Sequence, residues 1–481
     1  NSMNYRLTKS QLGTAGRKWA ELIVKVVKFG GSSLANGPQV AKAVEIMRAD
    51  PCRRVMVVSA PGKRFGGDAK VTDLLGELAA AILAGLDTAS LLGQILGRYR
   101  SIADYFDLAG ETIADHFRTH LRTLQESDYP NSEYLLAAFL AQGEWMNAHL
   151  IAAVLQHEGL PARWVSPQDL GMVVAGPPRL AQLLPDSYDR LANFSLPADE
   201  ILVVPGFFAY DAQGHIATFA RGGSDITGSI LARGLHADLY ENFTDVSAIY
   251  AADPQIIAHP RAINTLTYRE MRELSCAGFS VFNDEAIVPA IQGDVRINVK
   301  NTNDPEAPGT LIAPTKEVNH HHLITGIAAS NGHIALYIHR YLLNREVRFP
   351  LQILQVLAKY HVSYEQMPAG VDDLTIIFSQ KQVIPAVQTA MTREIRAAVQ
   401  PDVLRWIPNL AMVVVVGEGL AHRTDLVAQI LTQLATVEIA PVIISQGAAR
   451  INLTMGVDTT QAAAAIQALY ALSAEDYNNA Q

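Results

Sequence analysis

The chain has 481 residues, of which 49% are apolar and 18% charged, so it is long enough for about three domains and too apolar for a disordered protein. Its net charge of −9 gives no general attraction for nucleic acid or anionic lipid. Its apolar runs fall short of the ~18 residues that a membrane-spanning helix needs. Cys52 and Cys276 have neither disulfide nor metal-ligand spacing. We therefore expect a cytoplasmic globular protein with no nucleic-acid or membrane partner.

The first part of the chain alternates between strand and helix patterns. The runs that predict strands are residues 22–29, 54–59, 162–166, 201–208 and 295–300. A stretch rich in leucine and alanine from Val71 to Leu124 has no strand pattern and predicts two or three added helices. Strands that alternate with helices predict a mostly parallel sheet covered on both faces.

The first predicted strand leads into a glycine turn. Val26 to Ser33 reads VVKFGGSS, so Lys28 lies near the end of the strand and Gly30 and Gly31 precede a helix. Backbone N–H groups at such a turn, with a lysine beside them, can bind a phosphate group. The spacing is neither that of a Walker loop nor that of a dinucleotide fingerprint, so an ordinary turn is the alternative.

A second glycine turn opens the segment ARGGSDITGSILA, Ala220 to Ala232. Arg221 next to Gly222 and Gly223 could bind a carboxylate through two hydrogen bonds. Alternatively, Asp225 could simply cap the helix that follows.

A single helix predicted from Asn131 to Leu155 carries Glu144 in its middle. The residues four and seven positions away are apolar, so the carboxylate projects from the apolar face. A buried anion needs a cation. That cation could be a structural arginine or the ammonium group of a bound amino acid, for which Gly143 would leave room.

The segment ENFTDVSAIYAADP, Glu241 to Pro254, predicts a strand that ends in a turn with Thr244, Asp245 and Tyr250. Nucleotides bind at the carboxyl ends of strands in open α/β sheets. A polar strand end without a ligand is the simpler alternative.

After Thr310 the pattern changes to a polar connection and two similar units. Each unit predicts strand, helix, strand, strand, helix and strand, and in the first unit VSYEQMP and DLTIIFSQ are the middle strands. Such a repeat predicts either effector binding between paired copies or a dimerisation module. The connection contains His320, His321 and His322, but adjacent residues of an extended chain point in alternating directions, so we expect no metal site there.

The motifs KFGGSS, RGGSD and TDVSAIYAADP together resemble the amino acid kinase fold and, more narrowly, aspartate kinases. The segment SQGAARINLTM, Ser445 to Met455, is similar to the second strand pair of an ACT domain. The resemblance implies an α/β protein with a mostly parallel sheet between helices at 22–312. Two ferredoxin-like βαββαβ ACT domains would follow at 323–400 and 408–481.

The same resemblance implies an activity, which is the ATP-dependent phosphorylation of the side-chain carboxylate of L-aspartate to 4-phospho-L-aspartate. This is the first step towards lysine, threonine and methionine. A fused homoserine dehydrogenase is not expected. Another amino acid kinase and a catalytically impaired amino-acid sensor are the alternatives.

Residue roles also follow from the resemblance. Lys28 and Asp225 are the expected catalytic residues, the first stabilising the transferring phosphoryl group and the second organising the cationic groups. The residues expected around aspartate are Ser59, Thr72, Glu144, Arg221 and Ser224. The residues expected at ATP are Lys28, Gly30, Gly31, Ser32, Gly223, Thr244, Asp245 and Tyr250. Mg²⁺ is expected to bind the ATP phosphates and water, with no dedicated metal site in the protein.

Regulation by an amino acid, lysine or threonine, is implied at Glu346, Ser363 and Glu365 of the first ACT unit. A homodimer or larger homo-oligomer is implied through the ACT domains.

The sequence departs from the resemblance at two positions. Gln255 and Ser280 stand where many aspartate kinases have an arginine and a lysine that contact ATP. We expect weaker ATP binding without loss of catalysis, and we expect that Lys300 could compensate.

Overall fold

The structure is a computed structural model that describes residues 23–220, 222–279, 285–316 and 323–478. These residues form two compact units. The first contains residues 23–249, 264–268 and 285–316, and the second contains 250–263, 269–279 and 323–478. Two segments from within the predicted kinase range therefore belong to the second unit.

The elements are numbered in chain order. The strands are β1 (Lys25–Phe29), β2 (Arg53–Val58), β3 (Ala162–Trp164), β4 (Val173–Ala175), β5 (Gln182–Leu183), β6 (Ile201–Pro205), β7 (Phe208–Asp211), β8 (Ile216–Thr218), β9 (Leu239–Thr244), β10 (Ile249–Tyr250), β11 (Ala262–Ile263), β12 (Thr265–Thr267), β13 (Ile297–Asn301), β14 (Thr310–Ala313), β15 (Gly326–His339), β16 (Asp373–Ser379), β17 (Val403–Val416), β18 (Ile443–Ser445) and β19 (Asn452–Asp458). The helices are α1 (Gly37–Ala49), α2 (Val71–Leu83), α3 (Ala89–Tyr105), α4 (Gly110–Gln125), α5 (Ser132–Leu140), α6 (Gln142–His157), α7 (Asp186–Ala192), α8 (Gly223–Gly234), α9 (Tyr268–Cys276), α10 (Val288–Gln292), α11 (Phe349–Lys359), α12 (Pro385–Val399), α13 (Thr424–Thr436) and α14 (Ala462–Asn478).

The first unit is built on an eight-stranded sheet with the order β12-β14-β13-β9-β1-β2-β6-β3. Its pairs are parallel except for β13 with β14. Central strands such as β2, in which every residue is buried, have continuous apolar sequences because helices cover both faces of a parallel sheet. The predicted mostly parallel sheet is confirmed. A second sheet has the order β5-β4-β7-β8.

Helices of the first unit follow the sequence signals closely. The stretch from Val71 to Leu124 forms three helices, α2, α3 and α4, as predicted. At the start of α1 the Asn36 side chain accepts a hydrogen bond from Gln39 N, and Pro38 occupies the first turn.

Two predicted elements are each divided in the structure. The single helix predicted from Asn131 to Leu155 is two helices, α5 and α6, separated at Ala141, so Glu144 lies in the first turn of a helix rather than in its middle. The strand predicted at 201–208 is β6 and β7, because Phe207 adopts a left-handed conformation with φ 75° and turns the chain.

The second unit contains a five-stranded antiparallel sheet with the order β16-β15-β17-β19-β18. The long strands β15 and β17 pass through both halves of this sheet. Residues 333–339 of β15 pair with β16, whereas residues 326–330 pair with the part of β17 that also contacts β19. Helices α11 and α12 cover the first half, and α13 and α14 cover the second.

The two repeats are therefore joined through shared strands rather than arranged one after the other. The predicted strand VSYEQMP is also wrong, since Gln366 makes only an isolated bridge to Ile377. The domain boundaries 323–400 and 408–481 stay predictions. Within the described ranges, no helix combines the length and the hydropathy that crossing a lipid bilayer requires.

Candidate active site

The carboxyl ends of four parallel strands meet at one edge of the large sheet. The register aligns Phe29 of β1 with Val58 of β2 and with Phe243 of β9, and it aligns Val58 with Pro205 of β6. The residues that follow these four are Gly30, Ser59, Gly206 and Thr244. They lie side by side, so several predicted site residues share this edge.

A buried ion pair lies directly beneath the edge. Lys28 is only 7% exposed, and its Nζ lies 2.6 Å from Asp225 Oδ1. Asn242, which is 4% exposed, donates its Nδ2 to the same oxygen at 2.6 Å. Three elements, β1, α8 and β9, therefore place one cation, one anion and one amide in contact.

Asp225 does not cap its helix. The N-cap of α8 is Gly222, which has φ 83° and makes no capping hydrogen bond through a side chain, while Asp225 lies within the first turn. The capping alternative is therefore wrong, and the carboxylate contacts Lys28 instead.

The start of α8 is fixed against the turn after β6. Thr227 Oγ1 accepts a hydrogen bond from Phe207 N and donates one to Gly223 O, both at 3.0 Å. A Cβ on Gly206 would lie 2.6 Å from the Cβ of Ser224, so only glycine permits this approach. The contacts hold Ser224, which is buried, and the positive end of α8 at the sheet edge.

The first glycine turn packs backbone against backbone. Gly30 N donates to Phe243 O at 3.1 Å, and Gly62 N donates to Gly31 O at 2.8 Å. A Cβ on Gly31 would lie 2.9 Å from Ala60 O. Gly31 thus has a packing reason to be glycine, independent of any phosphate. Ser32 follows it and is exposed.

Glu144 is a buried carboxyl group with one unsatisfied oxygen. Its Oε1 accepts a hydrogen bond from Ala60 N at 3.0 Å, and its Oε2 has no hydrogen-bond partner among the described residues. Burial raises the pKa of Glu144 to about 8. None of the ion pairs in the described ranges joins Glu144 to an arginine. A ligand ammonium group fits the unsatisfied oxygen.

Asn147 lies one turn beyond Glu144 on α6 and is fully buried. Its Nδ2 donates to Ser59 O at 2.6 Å, while its Oδ1 has no partner in the described part of the chain. Glu144 and Asn147 therefore hold the N–H and the C=O of the same peptide group, between Ser59 and Ala60. That contact fixes the residue that follows β2.

Comparisons with known proteins agree with this geometry. The model of the Amino acid kinase family matches residues 24–301, and the model of the ACT domain matches residues 413–472. Aspartokinase 3 of Bacillus subtilis is 43% identical to this chain over 447 residues, which is 93% of this chain and 98% of that protein. The chain belongs to the aspartokinases of the amino acid kinase family.

Solved aspartokinase structures share the fold. The aspartate kinase of Clostridium acetobutylicum is 33% identical, with a TM-score of 0.81, and the match covers 93% of this chain and 99% of that one. Aspartokinase III of Escherichia coli, in complex with aspartate and ADP, is 22% identical with a TM-score of 0.74 and the same coverage.

The remaining predicted residues of this aspartokinase are distributed as follows. Thr72 lies in the first turn of α2 and is half-buried. Thr244 ends β9, and its Oγ1 donates to Oδ1 of the exposed Asp245 at 3.1 Å. Tyr250 belongs to the second unit. Residues Arg221, Ser280, His320, His321 and His322 lie outside the described residues.

Lys300 does not join the Lys28 cluster. In the register of the sheet, Lys300 lies level with Phe243 of β9, whereas Lys28 lies level with Asn242. The two lysines are therefore one residue out of step. Because side chains alternate along a strand, Lys300 projects from the opposite face of the sheet. There it lines a cavity of about 750 Å³ beside α1. The expected compensation for the missing ATP contacts is not supported at this position.

The predicted effector residues lie beside opposite ends of β16. These residues are Glu346, Ser363 and Glu365. Glu346 pairs with Arg340 at 2.6 Å, and the N–H of Arg340 donates to Asp372, just before β16. Glu365 N donates to Ile377 O, near the other end of β16, and Ser363 lies in the same loop as Glu365. Five residues of extended strand separate Asp372 from Ile377 by about 17 Å.

In the described ranges, no group of three or more histidine, cysteine, aspartate or glutamate side chains could hold a metal ion. The acidic side chains at the sheet edge include Asp225, which contacts Lys28, and Glu144, whose pKa is raised by burial.

Sequence reasoning missed Asn242 and Asn147. Both are buried amides next to predicted site residues. Asn147 lies three residues after Glu144, which places it on the same helix face. Its position in the site could therefore have been predicted from the sequence. Asn242 becomes visible only when β9 is known to lie beside β1.

Proposed function

We propose that this aspartokinase transfers the γ-phosphoryl group of ATP to the side-chain carboxylate of L-aspartate through Lys28, Asp225 and Glu144. The observation that carries the proposal is that a lysine suited to phosphate and a carboxyl group suited to an ammonium group lie at one sheet edge. A buried Lys28–Asp225 ion pair and a buried, unsatisfied oxygen of Glu144 both lie there. The first feature suits a phosphoryl group, and the second suits an amino acid.

At the phosphate end, Lys28 is proposed to neutralise charge on the transferring phosphoryl group. Backbone N–H groups of the turn at Gly30, Gly31 and Ser32, and of Gly223 at the start of α8, would face the ATP phosphates. Asp225 would hold the Lys28 ammonium group in place through the contact at 2.6 Å.

At the aspartate end, Glu144 Oε2 is proposed to accept a hydrogen bond from the substrate ammonium group. Ser59, Thr72 and Ser224 would surround the same molecule, and Arg221 would bind one of its carboxylates. The acceptor oxygen of the substrate would then face Lys28, so that phosphoryl transfer forms the new P–O bond as the bond to ADP breaks.

Mg²⁺ is proposed to enter with ATP. Mg²⁺ prefers six oxygen ligands in octahedral geometry and retains several waters. The nucleotide phosphates and water can therefore supply most of these ligands. When bound, it would draw charge from the phosphate oxygens.

The nucleoside is proposed to lie at Thr244 and Asp245. Gln255, whose backbone N–H donates to Asp253 and whose side chain is exposed, cannot supply the cation of an arginine. We therefore expect a higher KM for ATP than in a variant carrying Gln255→Arg, with little change in kcat.

The activity is tested by incubating the protein with ATP, Mg²⁺ and L-aspartate and trapping the acyl phosphate with hydroxylamine. Aspartyl hydroxamate is the expected product. If none forms at millimolar substrate, the proposal is wrong. Glutamate and succinate in parallel reactions distinguish an aspartate kinase from another amino acid kinase.

Regulation is proposed through ACT domains at 323–400 and 408–481, downstream of a catalytic domain at 22–312. Because Glu346 is distant from Ser363 and Glu365 in one chain, a ligand that touches both positions would need a second chain. This supports a homodimer or larger oligomer with lysine or threonine as effector. A cytoplasmic location is proposed because the two cysteines lack disulfide spacing.

Titrating lysine, threonine and methionine into the hydroxamate assay tests the regulatory proposal. Inhibition by lysine or threonine is expected, and it should be lost in Glu365→Gln with uninhibited activity unchanged. Indifference to all three amino acids would indicate that the second unit has a structural role only. Light scattering in the same buffers measures the oligomeric state.

A further inference from the structure

We infer that Asn242 is a positioning residue for phosphoryl transfer, which keeps the Asp225 carboxylate oriented while Lys28 turns towards the phosphate. The inference rests on the proposed function of Lys28 and Asp225. Its basis is a shared acceptor, since Lys28 Nζ and Asn242 Nδ2 both lie 2.6 Å from Asp225 Oδ1.

The burial of Asn242 indicates that this contact is specific. The residue is 4% exposed and lies in a strand whose neighbours Tyr240 and Phe243 are fully buried. Burying an amide without hydrogen-bond partners is unfavourable. An apolar residue would therefore suit this position unless the amide has a partner that needs it, and Asp225 is that partner.

The register explains why the contact forms. Asn242 aligns with Lys28 in the neighbouring parallel strand, so both side chains project from the same face of the sheet towards α8. Asp225 reaches down from the first turn of α8 between them. The three groups are held by different elements, and each can keep its place when another changes partner.

The amide has a role that the lysine cannot fill during the reaction. An ammonium group has three N–H donors, and those that stabilise the phosphoryl group cannot also point at Asp225. When Lys28 turns towards the phosphate, its contact with Asp225 weakens. Asn242 still donates to Oδ1 and holds the carboxylate in one orientation.

Few other charged groups face Asn242. The Tyr240 hydroxyl lies 3.5 Å from Asn242 Nδ2 and 3.4 Å from the backbone oxygen of Asp225. Glu241 projects from the opposite face of the sheet, where it pairs with Arg53 at 2.7 Å. Lys28 and Asp225 are thus the ionised side chains that the described structure brings to this amide.

The test compares Asn242→Leu with Asn242→Asp in the full-length protein. For Asn242→Leu, which removes the donor at similar size, we expect kcat to fall on the order of 100-fold while KM for aspartate stays within about two-fold.

For Asn242→Asp we expect an activity that depends on pH. At high pH two carboxylates would repel, whereas at lower pH they would share a proton and restore a donated hydrogen bond. The activity relative to the original chain should therefore rise by at least about five-fold from pH 8.5 to pH 6. A residue with only a packing role would give no such rise.

Asn298→Leu is the matched control, because Asn298 lies in β13 of the same sheet and contacts Pro308 rather than the active site. It should leave the pH profile unchanged. Unfolding midpoints show whether each variant is folded at the assay temperature. The inference is wrong if Asn242→Leu keeps the original kcat. If the original chain forms no aspartyl hydroxamate, it is the proposed function that fails.

Discussion

The two ends of the proposed active site carry their charges in different ways. At the phosphate end Lys28 and Asp225 neutralise each other, and Asn242 donates to the same oxygen. At the aspartate end Glu144 Oε2 has no partner among the described residues, and burial raises the pKa of this carboxyl group to about 8.

The difference in charge between the two ends indicates a catalytic role for the phosphate end and a role in substrate recognition for the aspartate end. The phosphate end is already neutral and ordered, so a ligand there must exchange partners with Lys28. The aspartate end disfavours its own ionised form until a cation arrives. We therefore expect a ligand without an ammonium group to gain little from Glu144, which would favour amino acids over simple dicarboxylic acids.

The largest effect is expected for Lys28→Met. This change removes the cation at similar length, and we expect kcat to fall by about 1,000-fold or more because the charge on the phosphoryl group is no longer neutralised. The hydroxamate assay measures kcat. Lys300→Met is the matched control, since its side chain leaves the opposite face of the same sheet. Near-normal turnover of Lys28→Met would remove the phosphate end from the mechanism.

Glu144→Gln should affect aspartate binding more than turnover. Replacing a charge-assisted hydrogen bond with a neutral one is expected to raise KM for aspartate by about 10- to 100-fold and to leave KM for ATP nearly unchanged. Initial rates at varied concentrations of each substrate separate the two constants. Equal changes in both would indicate a general distortion of the site.

The same variant should alter the pH dependence of stability. The pKa of Glu144 is raised from 4.5 to about 8, so between those values the folded protein binds more protons than the unfolded chain. Raising the pH through this window lowers the free energy of unfolding by up to about 1.4 kcal/mol per pH unit from this group. Glu144→Gln should flatten that slope, which urea unfolding at pH 5.5 and pH 8 measures.

A smaller effect is expected from Gly31→Ala. The added Cβ would lie 2.9 Å from Ala60 O, so the two backbone segments must separate. We expect kcat to fall by about 10-fold as the phosphate-facing turn shifts. Gly66→Ala is the control, because a Cβ there would meet no atom within 4 Å. If the two alanine variants behave alike, close packing at Gly31 is unimportant.

The sequence predicted the large features because they depend on local patterns. Continuous apolar runs predicted the buried strands of the sheet, and the two predicted glycine turns border the Lys28–Asp225 ion pair. Sharing of β15 and β17 between the two halves of the second unit was not predictable, because each half alone has the pattern of a complete repeat. The position of Lys300 could not be predicted without the strand order, because the register decides on which face of the sheet a side chain lies.

The smallest effect, and the most direct comparison of the two ends, is proton release on aspartate binding. With a pKa of about 8, Glu144 is mostly protonated at pH 7 in the free protein. A bound ammonium group favours the ionised form, so about one proton should be released per aspartate bound at pH 7 and almost none at pH 9.5. Titration calorimetry in buffers of different ionisation enthalpy counts these protons. Glu144→Gln should release none, and succinate should release none from the original chain because it lacks the ammonium group. ATP binding should not draw a proton from Glu144, since the phosphate end balances its own charges. A full proton released with succinate would show that Glu144 ionises for another reason. The proposed difference between a charge-balanced phosphate end and an aspartate end that needs a ligand cation would then be wrong.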